Sequence, residues 1–138
     1  MNEGKELYGI IKEIFSINRS ITGNGVRETL LILKKYLPEL QIYEVPTGTQ
    51  VFDWIVPQEW NCQEAYIEDA EHRRILDFRE NNLSIVNYSI SVDKWVSLKE
   101  LKSIIYTQPD QPELIPYVTS YYNRQYGFCM SEKKKENL

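Results

Sequence analysis

Leu7, Ile10, Ile11, Ile14 and Phe15 recur at helical spacing between Lys5 and Ile17, with charged residues on the opposite face, which predicts an amphipathic helix. The segment 18–25 then breaks the period with Gly23, Gly25 and several cap-forming residues. A second helix is expected over residues 26–37, with Val26, Leu30, Leu33 and Leu37 on one stripe and Pro38 closing it. The two make a helical hairpin. From Gln41 the pattern changes to short β-rich runs at 41–45, 51–56, 64–68, 74–78 and 83–91, punctuated by Pro46, Gly48 and Pro57. Residues 69–73 are polar throughout except Ala70 and suit a hairpin tip. Strands of this kind predict a small antiparallel sheet or partly open barrel. Ser97, with Glu100 three residues on, forms the capping box of a short helix. Three prolines at 109, 112 and 116 impose extended or turn geometry. Residues 118–126 are compatible with a helix, and 126–130 with a strand that runs into a charged tail.

Composition narrows the class. With 138 residues, 42% hydrophobic and 26% charged, the chain has the length and content to bury a core. A net charge of −4 argues against nucleic acid as partner, since phosphate binding needs a concentrated basic face. The single basic run, Lys133 to Lys135, is expected to be a solvated tail. Residues 1–15 carry five charges and do not suit a signal peptide. The longest uncharged stretch, 81–92, contains three Asn and three Ser and does not suit a membrane span. Two cysteines, Cys62 and Cys129, make a disulfide framework improbable and reduced thiols the default. A cytoplasmic location, with no membrane partner, is the resulting expectation.

Chemistry is sparse. His72 is the sole histidine and neither cysteine has a CxxC partner, so a zinc site of three or four converging ligands is not expected. Nucleophilic catalysis needs a base beside the nucleophile, and a histidine in a hairpin tip is a poor source of one. No GxGxxG, GxxxxGK[ST] or GxSxG occurs. Gly23-Asn24-Gly25 opens a helix and could offer backbone N–H groups to an anion, helped by Arg19 and Arg27; the plainer reading is a linker that caps the helix. Asp53 and Glu59 bracket an aromatic segment and form a candidate acid/base pair, against the simpler reading of aromatic packing beside exposed acids. Tyr117, Tyr121, Tyr122 and Tyr126 fall at helical spacings and could stack sugars or peptide side chains, or simply pack. Pro109-x-x-Pro112 is a weak polyproline match.

Three stretches together resemble one family. They are Arg19-Ser20-Ile21-Thr22-Gly23-Asn24-Gly25-Val26-Arg27-Glu28-Thr29-Leu30, then Val51-Phe52-Asp53-Trp54 with Val56-Pro57-Gln58-Glu59-Trp60, then Pro109-Asp110-Gln111-Pro112 through Ile115-Pro116-Tyr117-Val118-Thr119-Ser120-Tyr121-Tyr122 and Gly127-Phe128-Cys129. The chain resembles the N-terminal part of bacterial aminopeptidase-like proteins of the zinc exopeptidase superfamily. The resemblance implies an α+β chain: a helical hairpin (1–44) and a return segment (105–138) of an incomplete α/β exopeptidase domain, with a small antiparallel β-rich inserted domain (45–104) between them. In that family the zinc ligands and general-base glutamate lie further along the chain and have no matching positions here. No cofactor is therefore expected in this chain, zinc is expected in a longer parent, and these residues alone are expected to be inactive. Arg19, Asn24, Arg27, Asp110, Tyr121 and Tyr122 are the candidates to line the parent's cleft. The implied partners are the rest of the aminopeptidase-like domain and a peptide-like substrate, with self-association where an apolar stripe stays uncovered. The alternative is a stand-alone binding module that uses its aromatic face.

Overall fold

A computed structural model describes residues 3–138 and divides the chain into two units, Met1–Cys62 and Gln63–Leu138. In the first unit, helix α1 (Glu3–Ile14) has Glu3 and Glu6 in its first turn and Lys12 in its last, an arrangement that opposes the helix dipole. Helix α2 (Asn24–Tyr36) likewise ends on Lys34 and Lys35. Polar contacts tie the two together. The Glu13 carboxylate accepts from the Tyr36 hydroxyl at 2.7 Å and from Lys35 Nζ at 3.2 Å, and these partners, Tyr36 foremost, hold its carboxyl below the usual range.

The apolar stripe of the pair stays largely uncovered, as expected. Leu7, Ile11 and Leu37 are each more than half exposed, while Ile14, Leu30 and Leu33 are half-buried. Among the described residues of this unit only Gly23 is buried. The run 51–56, expected as one strand, folds back on itself: β1 (Gln50–Val51) pairs antiparallel with β2 (Trp54–Ile55) around a turn at Phe52, whose φ is 49°. Residues 41–45 form no strand.

The second unit holds the core. Strands β3 (Tyr66–Glu68) and β4 (Arg74–Asp77) form the expected hairpin, with a bulge between Ile67 and Glu68. Its tip is an Asx turn: Asp69 Oδ1 accepts from the N–H groups of Glu71 and Arg73 at 3.0 and 2.9 Å. The run 83–91 is instead a 3-10 turn (Asn82–Ser84) followed by an extended, buried stretch with isolated bridges Ile85↔Phe128 and Asn87↔Thr119. Helix α3 (Leu98–Ser103) starts at Ser97, whose Oγ accepts from Glu100 N–H at 3.2 Å, as the capping signal predicts. Strand β5 (Ile105–Tyr106) runs parallel to β6 (Phe128–Cys129).

Ile67, Leu76, Ile105 and Met130 form one buried cluster, with Ile75, Leu101, Phe128 and Leu138 packed against it. The segment after residue 104 thus shares a core with hairpin β3–β4. The β-rich stretch expected as one module is divided, with β1–β2 in the first unit and β3–β4 in the second. The charged end also departs from expectation. Lys133 to Lys135 lie in helix α4 (Glu132–Glu136), capped by Ser131, with Lys133 paired to Glu113 and Lys135 Nζ on the Ile105 carbonyl at 3.2 Å. Among the described residues no helix is long and apolar enough to cross a membrane.

Candidate functional site

Residues 117–122, which overlap the stretch 118–126 read as compatible with a helix, are drawn into a corner beside the buried stretch 84–88. Asn87 N–H donates to the Val118 carbonyl at 3.0 Å and Ser120 N–H to the Asn87 carbonyl at 2.9 Å. These ladder-like bonds take the carbonyl and amide that a helix would need, so the helical alternative fails. The chain then turns through two left-handed residues, Tyr121 (φ 46°) and Tyr122 (φ 69°), and faces a third, Tyr88 (φ 67°). For a residue with a Cβ this region costs roughly 1–3 kcal/mol and persists only where surroundings enforce it.

The enforcement is visible. Ser120 is 2% exposed, and its hydroxyl donates to the Tyr88 carbonyl at 3.1 Å. The Tyr88 and Tyr122 rings lie 4.5 Å apart, tilted by 57°, with their hydroxyls 3.4 Å apart. Tyr121 meets Tyr122 edge-on at 5.2 Å. Buried Asn87 donates from Nδ2 to the Tyr117 hydroxyl at 3.3 Å. Tyr117 and Tyr121 remain more than 60% exposed. The result is a rigid aromatic corner with phenol groups at its rim, suited to stacking on a flat or apolar group while hydrogen-bonding its edge.

Tyr121 and Tyr122 are therefore brought together. Asp110 lies exposed in the turn that Gln111 N–H closes on the Gln108 carbonyl at 2.9 Å. Asn87, Tyr88 and Ser120 carry the corner and were not singled out by sequence. For Asn87 and Tyr88 the visible signal is the polar content of the uncharged stretch 81–92, which is more than a buried strand normally holds.

Arg19, Asn24 and Arg27 lie in the first unit and frame the start of α2. Asn24 N–H donates to Asn61 Oδ1 at 2.7 Å, so a remote side chain caps the helix where Gly23 offers none. Arg19 Nη1 donates to the Ile14 carbonyl at 2.5 Å. Arg27 grips Glu59 with both terminal guanidinium nitrogens, the longer bond being 2.9 Å, and its Nε reaches Glu44 at 2.9 Å. Glu59 first and Glu44 second raise the Arg27 pKa, and Arg27 holds the Glu59 carboxyl low. The anion reading of this loop is corrected accordingly: the helix start and the guanidinium are already satisfied from within the chain. The Asp53–Glu59 pair is corrected too, because Glu59 belongs to Arg27 while Asp53 stands exposed in the β1–β2 turn.

Metal-ligating residues do not converge. Among the described residues no three His, Cys, Asp or Glu side chains group to hold an ion. His72 sits 3.1 Å from Glu68 at the hairpin tip. Burial pushes the Cys129 thiol up to about 11, despite a Val118 backbone hydrogen bond that lowers it, so it stays protonated and unreactive.

Residues 59–138 match the family described as domain of unknown function DUF2172. Over 135 residues, 98% of the chain, the sequence is 47% identical to a Clostridium acetobutylicum protein named for polysaccharide biosynthesis and an aminopeptidase-like domain, of which it covers 31%. A crystal structure of a Clostridium acetobutylicum protein named as a peptidase is similar over 99% of the chain and 32% of its own length, with 47% identity and a TM-score of 0.94. The chain spans about a third of the length of the relatives it matches.

Proposed function

The chain belongs to the DUF2172 family through residues 59–138, and from that premise we propose that it is the N-terminal part of an aminopeptidase-like protein in which the tyrosine corner helps shape the substrate cleft. The observation that carries the reading is the 47% identity across 98% of the chain to a protein named for its aminopeptidase-like domain. The corner adds a physical reason. Three strained tyrosines held by buried Ser120 and Asn87 are a feature that packing alone does not require, and strain of this kind concentrates at binding sites. A peptide-like substrate offers what the corner takes, an apolar side chain for the ring faces and amide edges for the hydroxyls.

Zinc, which the resemblance implies for a longer protein, does not fit these residues, since no donor set of three converges among those described. No hydrolytic step is routed through them. The metal, its activated water and the general base are assigned to the rest of the longer protein, which would also cover the exposed stripe Leu7, Ile11 and Leu37.

In the longer protein, Tyr121→Ala and Tyr122→Ala are each expected to raise KM for amino-acid arylamides about tenfold with kcat nearly unchanged, the signature of lost substrate binding. Unchanged KM in both variants would remove the corner from the cleft. The isolated chain is expected to show no turnover of the same arylamides and no stoichiometric zinc by elemental analysis after a chelator wash. One tightly held zinc per chain would overturn that assignment.

A further inference from the structure

A second feature of the Gln63–Leu138 unit lies outside the tyrosine corner. A cavity of about 300 Å³ opens between the end of hairpin β3–β4, the 3-10 turn and the start of α4. Its size is at the small end of ligand sites, which run to roughly 1,000 Å³, so it suits a small molecule. Its floor is apolar: Leu76 and Met130 are buried and Ile115 half-buried.

Charge at the rim separates into used and unused groups. Asp77 accepts from Arg74 Nη1 at 2.5 Å and from Arg79 N–H at 2.9 Å, and Glu113 is paired with Lys133. Glu80 and Lys134 also line the cavity, and neither side chain has an ionic partner among the described residues. Ser84 lines it as well. It is 3% exposed, and its N–H reaches the Asn81 carbonyl at 3.0 Å.

A carboxylate and an ammonium without ionic partners, a serine at the wall and an aliphatic floor define a complementary ligand. We propose that this cavity binds a free α-amino acid with an aliphatic side chain, its ammonium on Glu80, its carboxylate on Lys134 and the Ser84 hydroxyl, and its side chain over Leu76, Ile115 and Met130. The site depends on none of the residues of the tyrosine corner and stands apart from the peptidase reading.

The test is a titration of the full isotope-labelled chain with L-leucine, followed by amide chemical shifts, beside leucinamide, which lacks the carboxylate, and isocaproate, which lacks the amine. Leucine is expected to give saturable shifts at Ser84, Ser131 and Lys134, and each analogue to bind about tenfold more weakly, the worth of one charge-assisted contact. Glu80→Gln should weaken leucine by a similar factor and leave isocaproate unaffected; Lys134→Gln should weaken leucine and leave leucinamide unaffected. Both positions are exposed, so the variants keep the fold, and unshifted amides in β3 and β6 verify it. No saturable shift at these amides, or equal binding of all three compounds, overturns the proposal.

Discussion

Met130→Ala lowers the stability of the Gln63–Leu138 unit by about 2–5 kcal/mol, the range for removing a long buried side chain whose site does not collapse. Met130 is fully buried and joins both strand pairs: it packs with Ile67 of β3, Leu76 of β4 and Ile105 of β5, while its N–H holds the Tyr106 carbonyl at 3.2 Å. Truncation opens space between elements that have few other buried contacts. A whole domain is stable by only about 5–15 kcal/mol, so the loss is a large share. Urea denaturation followed by tyrosine fluorescence measures it. Met130→Leu, which nearly conserves volume, should cost less than about 1.5 kcal/mol. Equal, small losses in the two variants would mean that the cluster is not the core it looks to be.

Gly25→Ala disrupts the start of α2 by at least the roughly 1–3 kcal/mol of ordinary overpacking. A Cβ at this position would lie 1.9 Å from the Asn18 carbonyl oxygen and 2.9 Å from its carbon. The obstacle is backbone, not the end of a flexible side chain, so the turn 18–23 has to move. Gly9 is the internal control, because a Cβ there meets nothing within 4 Å. In the middle of α1, Gly9→Ala is expected to stabilise by about 0.5–1 kcal/mol through the lower backbone entropy of the unfolded chain. Hydrogen exchange at α2 amides separates the two, with protection lost in Gly25→Ala and kept in Gly9→Ala. Retained protection in Gly25→Ala would show that the loop yields freely.

Where local signals were strong, the elements were legible without coordinates. The stripes Leu7–Ile11–Ile14 and Leu30–Leu33–Leu37 predicted α1 and α2 to within a few residues, because helix formation on one apolar face is settled by period. The polar tip 69–73 and the Ser97 cap are equally local, and both formed as read. The mixed helix and strand content follows from the same periodicities.

The candidate site was only half legible. Tyr121 and Tyr122 stood out as aromatics, yet their spacing suggested a helix. Asn87, more than 30 positions earlier in sequence, takes the Ser120 N–H on its carbonyl and gives its own N–H to the Val118 carbonyl, and these backbone bonds prevent it. No local window contains both partners. The same holds for Asn61, which caps a helix that begins at Asn24, and for Glu59, which takes the Arg27 guanidinium away from any anion. It holds again for Lys133 to Lys135, a solvated tail by composition and a docked helix once Glu113 and the Ile105 carbonyl are beside them. What the sequence by itself determined is the set of elements whose stabilising partners lie within a few residues: period, cap and turn. What only the tertiary structure decided is every place where a backbone or charged group finds its partner far along the chain, since a buried polar group takes the partner that folding brings to it.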